Sequence, residues 1–463
     1  MHRHHRLFSN SYLSIYCLGG LREVGRNCFP IHFKKEDFWI EIDCGKAPGS
    51  LGGEDAIVDQ EAHTSKSSSH YLGSLKDTLH KIKHLFITHS HLDHAGALPE
   101  FYTMAREVVG DDNLPMLHLS PFGEKMTEAM FEYNEQELPQ IAKLEGLCSS
   151  VSLSELVKVT SFTVPHSIPG TKSFIVKVKL PGDKWFKVLF MSDFRLQENY
   201  GGSQMAQAMV DVLCAERPFD IVIADMLYCD RPGYTQPEDE TVSTVGKVLD
   251  RLLEKGAKQI VMSGFASNLE RWQMISEKAR ELGIGSFHPK GTAMKTVWGI
   301  GESLGLFDGE HLGFGSELIA CTGSQAEPYA VLTLASLGES QRLHFHKEAS
   351  IILSSEIIPG NEAPVVEMVR RLSAICSEGY VVVSPSTYRA LGTNPPENVF
   401  AQANIHNSGH GSQLDIKLLL QLAKPEFVIP YHVPMEKQGA LGRFLDSLGV
   451  NYFQPTTMLG LDS

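Results

Sequence analysis

The sequence has no run of about 18 apolar residues, so no helix long enough to cross a membrane is expected. Its opening residues, MHRHHRLFSN, carry charge and imidazole but no apolar core behind them. A secretory signal peptide is therefore not expected, and His2, His4 and His5 read as a disordered tail. The 8 cysteines are scattered without a C-x-x-C pair, which fits free thiols in a reducing cytoplasm. Cys28 and Cys44 fall in predicted strands and read as small core residues. Positive charge is in deficit: the net charge of −14 argues against broad, non-specific coating of nucleic acid. A local basic channel, or bound divalent ions, can still reverse the potential inside a site. There is no internal repeat and no long low-complexity segment.

What is present is a chain of 463 residues, 42% hydrophobic and 21% charged, long enough for two globular domains. One stretch organises it, FITHSHLDHAGALPE from Phe86 to Glu100. His89, His91, Asp93 and His94 crowd into six residues directly after the apolar run Leu85, Phe86, Ile87. The run reads as a buried strand and the residues after Ala95 as a helix, so the polar residues sit on the loop between. Imidazoles and a carboxylate converging there suit zinc or manganese. Residues two apart in an extended segment point the same way, so His89 and His91 can share one ion. Asp93 and His94, on the following turn, can face a second.

Later segments supply further ligand types at strand ends. His166 lies on the loop of FTVPHSIPGTKSF, and its order in the chain predicts that it completes the first histidine set. The strand VLFMSD ends in Asp193, a carboxylate placed to bridge two cations. IVIAD repeats the pattern and ends in Asp225. FVIPYH brings His432 to a late strand end as the remaining ligand of the second metal. Asp43, closing the strand FWIEID, reads as a carboxylate that orients a ligand histidine. Gly49–Ser69 reads as a surface loop, 75–82 as helical, and 124–147 as containing a long amphipathic helix. Between 231 and 385, strand, small-residue loop and helix alternate, which predicts a parallel sheet with helices on both faces. After that the chain returns through IHNSGHGS to the late strand.

With these elements in order, the sequence resembles the metallo-β-lactamase superfamily and, within it, the β-CASP nucleases of the ribonuclease J type. HSHLDH carries the superfamily. GGLREVGRN, HSIPG, SDF, DRPGYT, SGFASNLERWQ, TGSQAEP, SSEIIPGNE, HNSGHGS and KPEFVIPYH, all in the family's order, carry the narrower resemblance across nearly the whole chain.

The resemblance implies an α/β fold, an αββα sandwich with an inserted parallel α/β domain. Residues 1–230 would form the first part of the hydrolase domain, 231–385 the β-CASP insertion, and 386–463 the part that completes the hydrolase. It implies two Zn2+ ions, with Mn2+ as the alternative: His89, His91 and His166 on one, Asp93, His94 and His432 on the other, and Asp193 bridging. Asp225 and His410 match the acidic and histidine motifs of the β-CASP proteins. Asp93, Asp193, Asp225 and His410 are thus the implied catalytic residues, with a neutral His410 stabilising the phosphorane or donating to the leaving group. Ser267, Asn268, His406, Ser408, Gly409 and His410 match a pocket for a 5′-terminal phosphate, and Asn268 reads equally as a helix N-cap.

The implied activity is hydrolysis of single-stranded RNA in the cytoplasm, 5′-to-3′ and also internally, with a 5′-monophosphate end preferred. A DNA-directed nuclease of the same fold, a non-catalytic RNA-binding homologue and a small-molecule hydrolase are the rival readings.

Several positions depart from the family's pattern. Val433 and Pro434 follow His432 where a glycine and a glutamate are usual, and SDF lacks a preceding glycine. Gly170 replaces a polar residue, and ADMLYCD keeps only the carboxylate of the acidic motif. The chain ends about 30 residues after His432, where the family's extra C-terminal domain would follow. That domain is expected to be absent, leaving TGSQAEP as the surface for a homodimer.

Overall fold

A computed structural model describes residues 5–47, 70–196, 202–307, 313, 315–358 and 360–454. His2, His4 and the 49–69 loop lie outside the described residues, as does the side chain of His5. From residue 5 the chain is a strand rather than a tail.

Two sheets face each other. The first has 7 strands, in spatial and chain order His5–Ser9, Leu13–Cys17, Phe29–Phe33, Phe38–Ile42, Ile82–Phe86, Met116–Leu119 and Ile141–Lys143. The second has 6, in the order Pro425–Tyr431, Phe219–Asp225, Trp185–Met191, Lys172–Lys179, Val157–Thr163 and Cys148–Ser152. In its strands Phe174, Val176, Phe190 and Ile223 face the first sheet, while Ile175, Leu189 and Val222 face outward. The two-residue period of a strand makes both faces apolar here because both are covered. The outward face packs under the helices Gly202–Glu216, Gln413–Ala423 and Gln438–Leu448. Helices Leu98–Val109 and Pro121–Tyr133 cover the outer face of the first sheet. The result is the four-layer αββα sandwich that the sequence motifs implied. Among the described residues no helix is long and apolar enough to cross a membrane.

A third sheet of 6 strands is wholly parallel: Ser286–Lys290, Glu317–Cys321, Gln259–Ser263, Ser350–Leu353, Val381–Val383 and Val399–Ala401. Helices Glu238–Glu254, Leu269–Glu281 and Thr292–Ser303 cover one face, and Val331–Leu337 and Glu362–Ile375 the other. This sheet runs past residue 385, because Val399 pairs with Val381. A three-residue strand between Pro396 and Gln402 is too short to show a period in the sequence.

Two other segments differ from the sequence reading. The helix expected within 124–147 is Pro121–Tyr133, started by Ser120, whose hydroxyl accepts from the Gly123 amide at 3.1 Å. Pro139 lies in the stretch that follows, where it cannot donate to a continuing helix, and the chain turns into the strand Ile141–Lys143. The 75–82 segment is two short 3-10 turns, His70–Leu75 and Leu79–Lys81.

A buried ionic cluster fastens the third sheet's helices to the sandwich. Glu238, at the start of its helix, is fully buried between two guanidinium groups. Arg195, two residues beyond Asp193, donates to Glu238 at 3.1 Å and to Glu270 at 3.3 Å. Arg271 donates to both Glu238 oxygens, to the Asn407 carbonyl at 3.2 Å and to Nδ1 of His406 at 3.1 Å. Four segments meet here: the loops around 195 and 407 and the starts of two helices.

Burial works against the charge on Glu238, but Arg271 and Arg195 outweigh it and hold its carboxyl at about 2. A carboxyl lowered on folding stabilises above its unfolded value, and the contribution fades as pH falls through that value towards the folded one. Glu238→Gln is expected to cost roughly 3 kcal/mol at pH 7, the order given by the shift and by breaking a buried pair. The gap to wild type should narrow by about 1 kcal/mol by pH 3.5. Denaturant midpoints of the two chains at both pH values check this; a gap that stays constant would mean that Glu238 is not a charged partner.

Candidate metal centre

Parallel pairing lines up the polar residues of the second sheet. Phe219–Asp225 lies between Trp185–Met191 and Pro425–Tyr431, with Asp225 opposite Tyr431. Asp193, Asp225 and His432 therefore leave the C-terminal ends of three adjacent strands side by side. From the facing sheet, the parallel pair Phe38–Ile42 and Ile82–Phe86 delivers Asp43 and the Thr88–His94 loop to the same edge. His91 starts the short helix Leu92–Ala95, which turns Asp93 and His94 inward.

His89, His91 and His166 form a first set of buried ring nitrogens. Nε2 of His89 and Nε2 of His166 stand 3.0 and 3.2 Å from Nδ1 of His91. Nδ1 of His166 donates to the Gly409 carbonyl at 2.9 Å, so its Nε2 carries a lone pair. Three such nitrogens cannot all satisfy one another with protons, and a cation between them would satisfy all three. Burial pushes the His91 imidazole down to about 4 against the opposing pull of Asp93 and Asp193, and burial together with the neighbouring imidazoles holds those of His89 and His166 well below their usual value. All three are neutral donors at pH 7.

Asp93, His94, Asp193 and His432 form the second set. Nε2 of His94 is 3.2 Å from Asp193 and 3.5 Å from Asp93, and Nε2 of His432 is 3.2 Å from Asp93. The same oxygen of Asp193 is 3.8 Å from His89, which puts that carboxylate between the two sets. Here burial again opposes charge, but the carboxylates win: Asp193 and its neighbours raise His432 to about 10 and His94 well above its usual value. Nδ1 of His432 is buried, 3.3 Å from the second Asp193 oxygen and 3.8 Å from Asp225, but among the described residues makes no hydrogen bond of good geometry. The donor chemistry of both sets fits a divalent cation, which at the second set would displace imidazolium protons.

His410 stands beside them. Its Nδ1–H donates to Asp225 at 2.8 Å and lies 3.8 Å from Asp193. Burial disfavours its charge, yet Asp225 and Asp193 push the imidazole up to about 9. The two flanking carboxylates favour its protonated form, whereas a cation in the adjoining donor set would oppose that charge and favour the neutral ring that the resemblance implies.

Supporting residues were mostly invisible in the sequence. Asp43 does lie where expected, with His94 Nδ1 donating to it at 2.7 Å and the Thr88 amide at 2.8 Å. Thr88 Oγ1 also reaches Nδ1 of His89 at 3.0 Å. Asp43 and His432 both hold positive φ, 63° and 61°, a strained conformation for non-glycine residues. Asn27 was not singled out, yet its side-chain nitrogen donates to the Asp93 carbonyl at 2.9 Å and lies 2.6 Å from Nε2 of His432. The Tyr431 hydroxyl donates to the other Asp193 oxygen at 3.0 Å. Gly45 is required where it is, because a Cβ would meet the Asp93 carbonyl oxygen at 1.7 Å.

The residues read as a phosphate pocket each have a partner within the protein. Ser267 Oγ is 3.1 Å from Nε2 of His91. Asn268 is the N-cap of Leu269–Glu281, accepting from the Arg271 amide at 3.4 Å. His406 meets Arg271, and Ser408 Oγ accepts from the His410 amide at 3.1 Å. Gly409 packs so tightly that a Cβ would lie 2.6 Å from Cε1 of His166.

Residues 257–372 match the family model described as ribonuclease J, beta-CASP domain, and residues 38–109 the one described as metallo-beta-lactamase superfamily. Curated proteins named Ribonuclease J are similar along nearly the whole chain. That of Mycoplasma genitalium is 26% identical over 453 residues, 94% of this chain and 70% of the relative. That of Mycolicibacterium smegmatis is 29% identical over 440 residues, 91% of this chain and 68% of the relative. Among solved structures, a protein of unknown function from Enterococcus faecalis V583 has the same fold, with TM-score 0.57 and 12% identity over 96% of this chain and 98% of that one. These matches bear out the resemblance drawn from the motifs.

Removing the carboxylate behind His94 should loosen the second set alone. Asp43→Ala is expected to lower the affinity for the second equivalent of Zn2+ by about 10–100-fold and leave the first near its wild-type value. Competition titration against a chromophoric chelator measures both; unchanged binding of both equivalents would remove Asp43 from that role.

Proposed function

We propose that this chain is a two-metal ribonuclease whose centre lies at the strand ends between the sandwich and the inserted domain. The observation that carries the reading is the convergence of His89, His91, His166, Asp93, His94, Asp193 and His432 into two adjoining buried donor sets, with the His410–Asp225 pair alongside. Metal-dependent hydrolysis of RNA is the activity that this centre and the Ribonuclease J relatives support together. Zinc suits the all-imidazole set, with manganese as the alternative.

Bound there, two divalent cations would supply Lewis acidity towards the scissile phosphoryl group and an activated water. The chain's own residues do the rest. Asp193, held by Tyr431 through one oxygen, offers the other between the two sets. Asp225 holds the proton on Nδ1 of His410, which leaves Nε2 for the substrate. A protonated His410 can stabilise charge developing on the phosphoryl oxygens or give its proton to the leaving oxygen.

The finer reading is 5′-to-3′ exonuclease action with some internal cleavage. The start of Leu269–Glu281, with Ser267 and Asn268, and the His406–His410 loop would take a 5′-terminal phosphate. A helix N-terminus beside small-residue loops is a favourable setting for one. A cytoplasmic location accords with 8 cysteines that are all free. A homodimer could use the surface around Tyr329, a large side chain left 52% exposed beside TGSQAEP.

Purified protein should degrade RNA with a 5′-monophosphate faster than the same RNA with a triphosphate or hydroxyl end, releasing mononucleotides. A chelator should stop the reaction and Zn2+ or Mn2+ restore it, and His91→Ala should lower turnover by at least 100-fold. Internal fragments regardless of the 5′ end would demote the phosphate pocket. Cleavage of DNA alone would move the substrate, and no cleavage by the metal-loaded protein would favour a binding role.

A further inference from the structure

The first histidine set draws its support unevenly. Nδ1 of His89 is held inside the sandwich, by Thr88 at 3.0 Å and Ser192 at 3.4 Å. Nδ1 of His166 is held by the Gly409 carbonyl, on the returning chain. His91 differs. Its Nδ1 faces the other two rings, so the nitrogen that needs an outer partner is Nε2. That partner is Ser267 Oγ at 3.1 Å, 176 residues away and on the inserted domain. Both residues are buried, His91 at 2% and Ser267 at 4% exposure.

Ser267 is itself rigidly placed. It lies in the loop between the strand Gln259–Ser263 and the helix Leu269–Glu281. Its carbonyl accepts from the Leu269 amide at 2.8 Å, and Asn268 caps the helix. Trp272 Nε1 donates back to the Phe265 carbonyl at 2.8 Å. One turn into the helix, Arg271 is locked to Glu238 and Asn407. The hydroxyl therefore cannot follow His91 if the two domains separate.

From this geometry we infer that Ser267 is a positioning residue for the first metal centre, and that docking of the inserted domain and cation binding by His89, His91 and His166 are linked. With Nδ1 given to a cation, His91 carries its proton on Nε2 and donates it to Ser267 Oγ. That bond fixes both the tautomer and the ring orientation. Undocked, His91 loses this partner, and the ring is free to take the other tautomer or rotate. Linkage is reciprocal, so the cation must in turn stabilise docking of the helix Leu269–Glu281. The inference rests on the two-metal reading but not on the substrate, because it concerns binding before any RNA arrives.

The test uses the metal-free full chain, its Ser267→Ala and Ser267→Thr variants, and Zn2+ as the probe. Competition titration should show Ser267→Ala weakened about 10–100-fold for one equivalent, with Ser267→Thr, which keeps a hydroxyl, close to wild type. Hydrogen exchange in Leu269–Glu281 should slow on adding Zn2+ to wild type and to Ser267→Thr, and much less in Ser267→Ala. Circular dichroism establishes that each variant is folded; if Ser267→Ala is not, the exchange change in wild type and Ser267→Thr decides alone. Wild-type affinity for both equivalents in Ser267→Ala, or exchange in the helix indifferent to Zn2+, overturns the proposal. Unchanged Zn2+ affinity together with a lost preference for 5′-monophosphate RNA would assign Ser267 to the substrate. Weakened Zn2+ binding in a protein whose wild type cleaves no RNA would leave the linkage standing and remove the ribonuclease reading.

Discussion

Parallel pairing of Pro425–Tyr431 against Phe219–Asp225 is the constraint on which the rest of the structure depends. The two strands lie about 200 residues apart in the chain, and a whole domain is made between them. Their register sets Asp225 opposite Tyr431, which puts His432 and Asp225 at the same sheet edge. The next strand adds Asp193, and Tyr431 reaches across to bond it. A one-residue slip would turn Tyr431 away from Asp193 and send His432 elsewhere. The apolar residues that hold this register, Ile221, Ile223, Ile429 and Phe190, are fully or almost fully buried between the sheets. The core thus positions the chemistry through sheet registration, while the loops supply the donors.

That arrangement concentrates charge where desolvation is costly. Asp43, Asp93, Asp193 and Asp225 are all buried within one region. Without cations the carboxylates are offset by imidazolium groups at His94, His432 and His410. Replacing one partner of such a cluster strands the others, and this explains why the surroundings are built so heavily. Asn27, Thr88 and Tyr431 each direct a polar group at a member of the cluster: His432, Asp43 and Asp193 in turn. The first histidine set is the opposite case. Its imidazoles carry no opposing carboxylate within the set, and a cation would satisfy all three nitrogens at once. As proposed cation sites, two neighbouring sets of different charge would differ in proton dependence, with Asp193 standing between them.

Much of the donor cluster was legible in the sequence because its candidate ligands lie in short motifs or directly after apolar strands. HSHLDH names four residues at once, and VLFMSD, IVIAD and FVIPYH each end in a charged or imidazole residue after a mainly apolar run. A strand buried on both faces rarely holds a carboxylate in its middle (Glu41 is an exception), so such a residue after an apolar run marks the strand end. The supporting residues carry no such mark. Asn27 meets Asp93 and His432 across separations of 66 and 405 residues. Arg195, Glu238 and Arg271 look like ordinary surface charges until folding buries them together. Ser267 sits in a motif that suggested a phosphate, and only the packing of two domains shows that it touches His91. The strand Val399–Ala401 was missed for a different reason, since three residues give no periodicity.

The inserted domain cannot then be a passive cover for the cleft. Its helix start at 269 is held to the sandwich by the Glu238 cluster, which also grips the loop carrying His406, Asn407 and Ser408. That loop continues into Gly409, whose carbonyl fixes His166, and His410, whose proton is set by Asp225. A continuous five-residue loop thus connects the Arg271 contacts to one candidate ligand histidine and to the candidate acid. Through Ser267 the same helix start reaches a second candidate ligand histidine directly. An RNA end that pressed on this junction would act on the metal donors and on His410 together. On the proposed function, substrate seating and assembly of the centre would share one set of contacts, and substitutions there should move both.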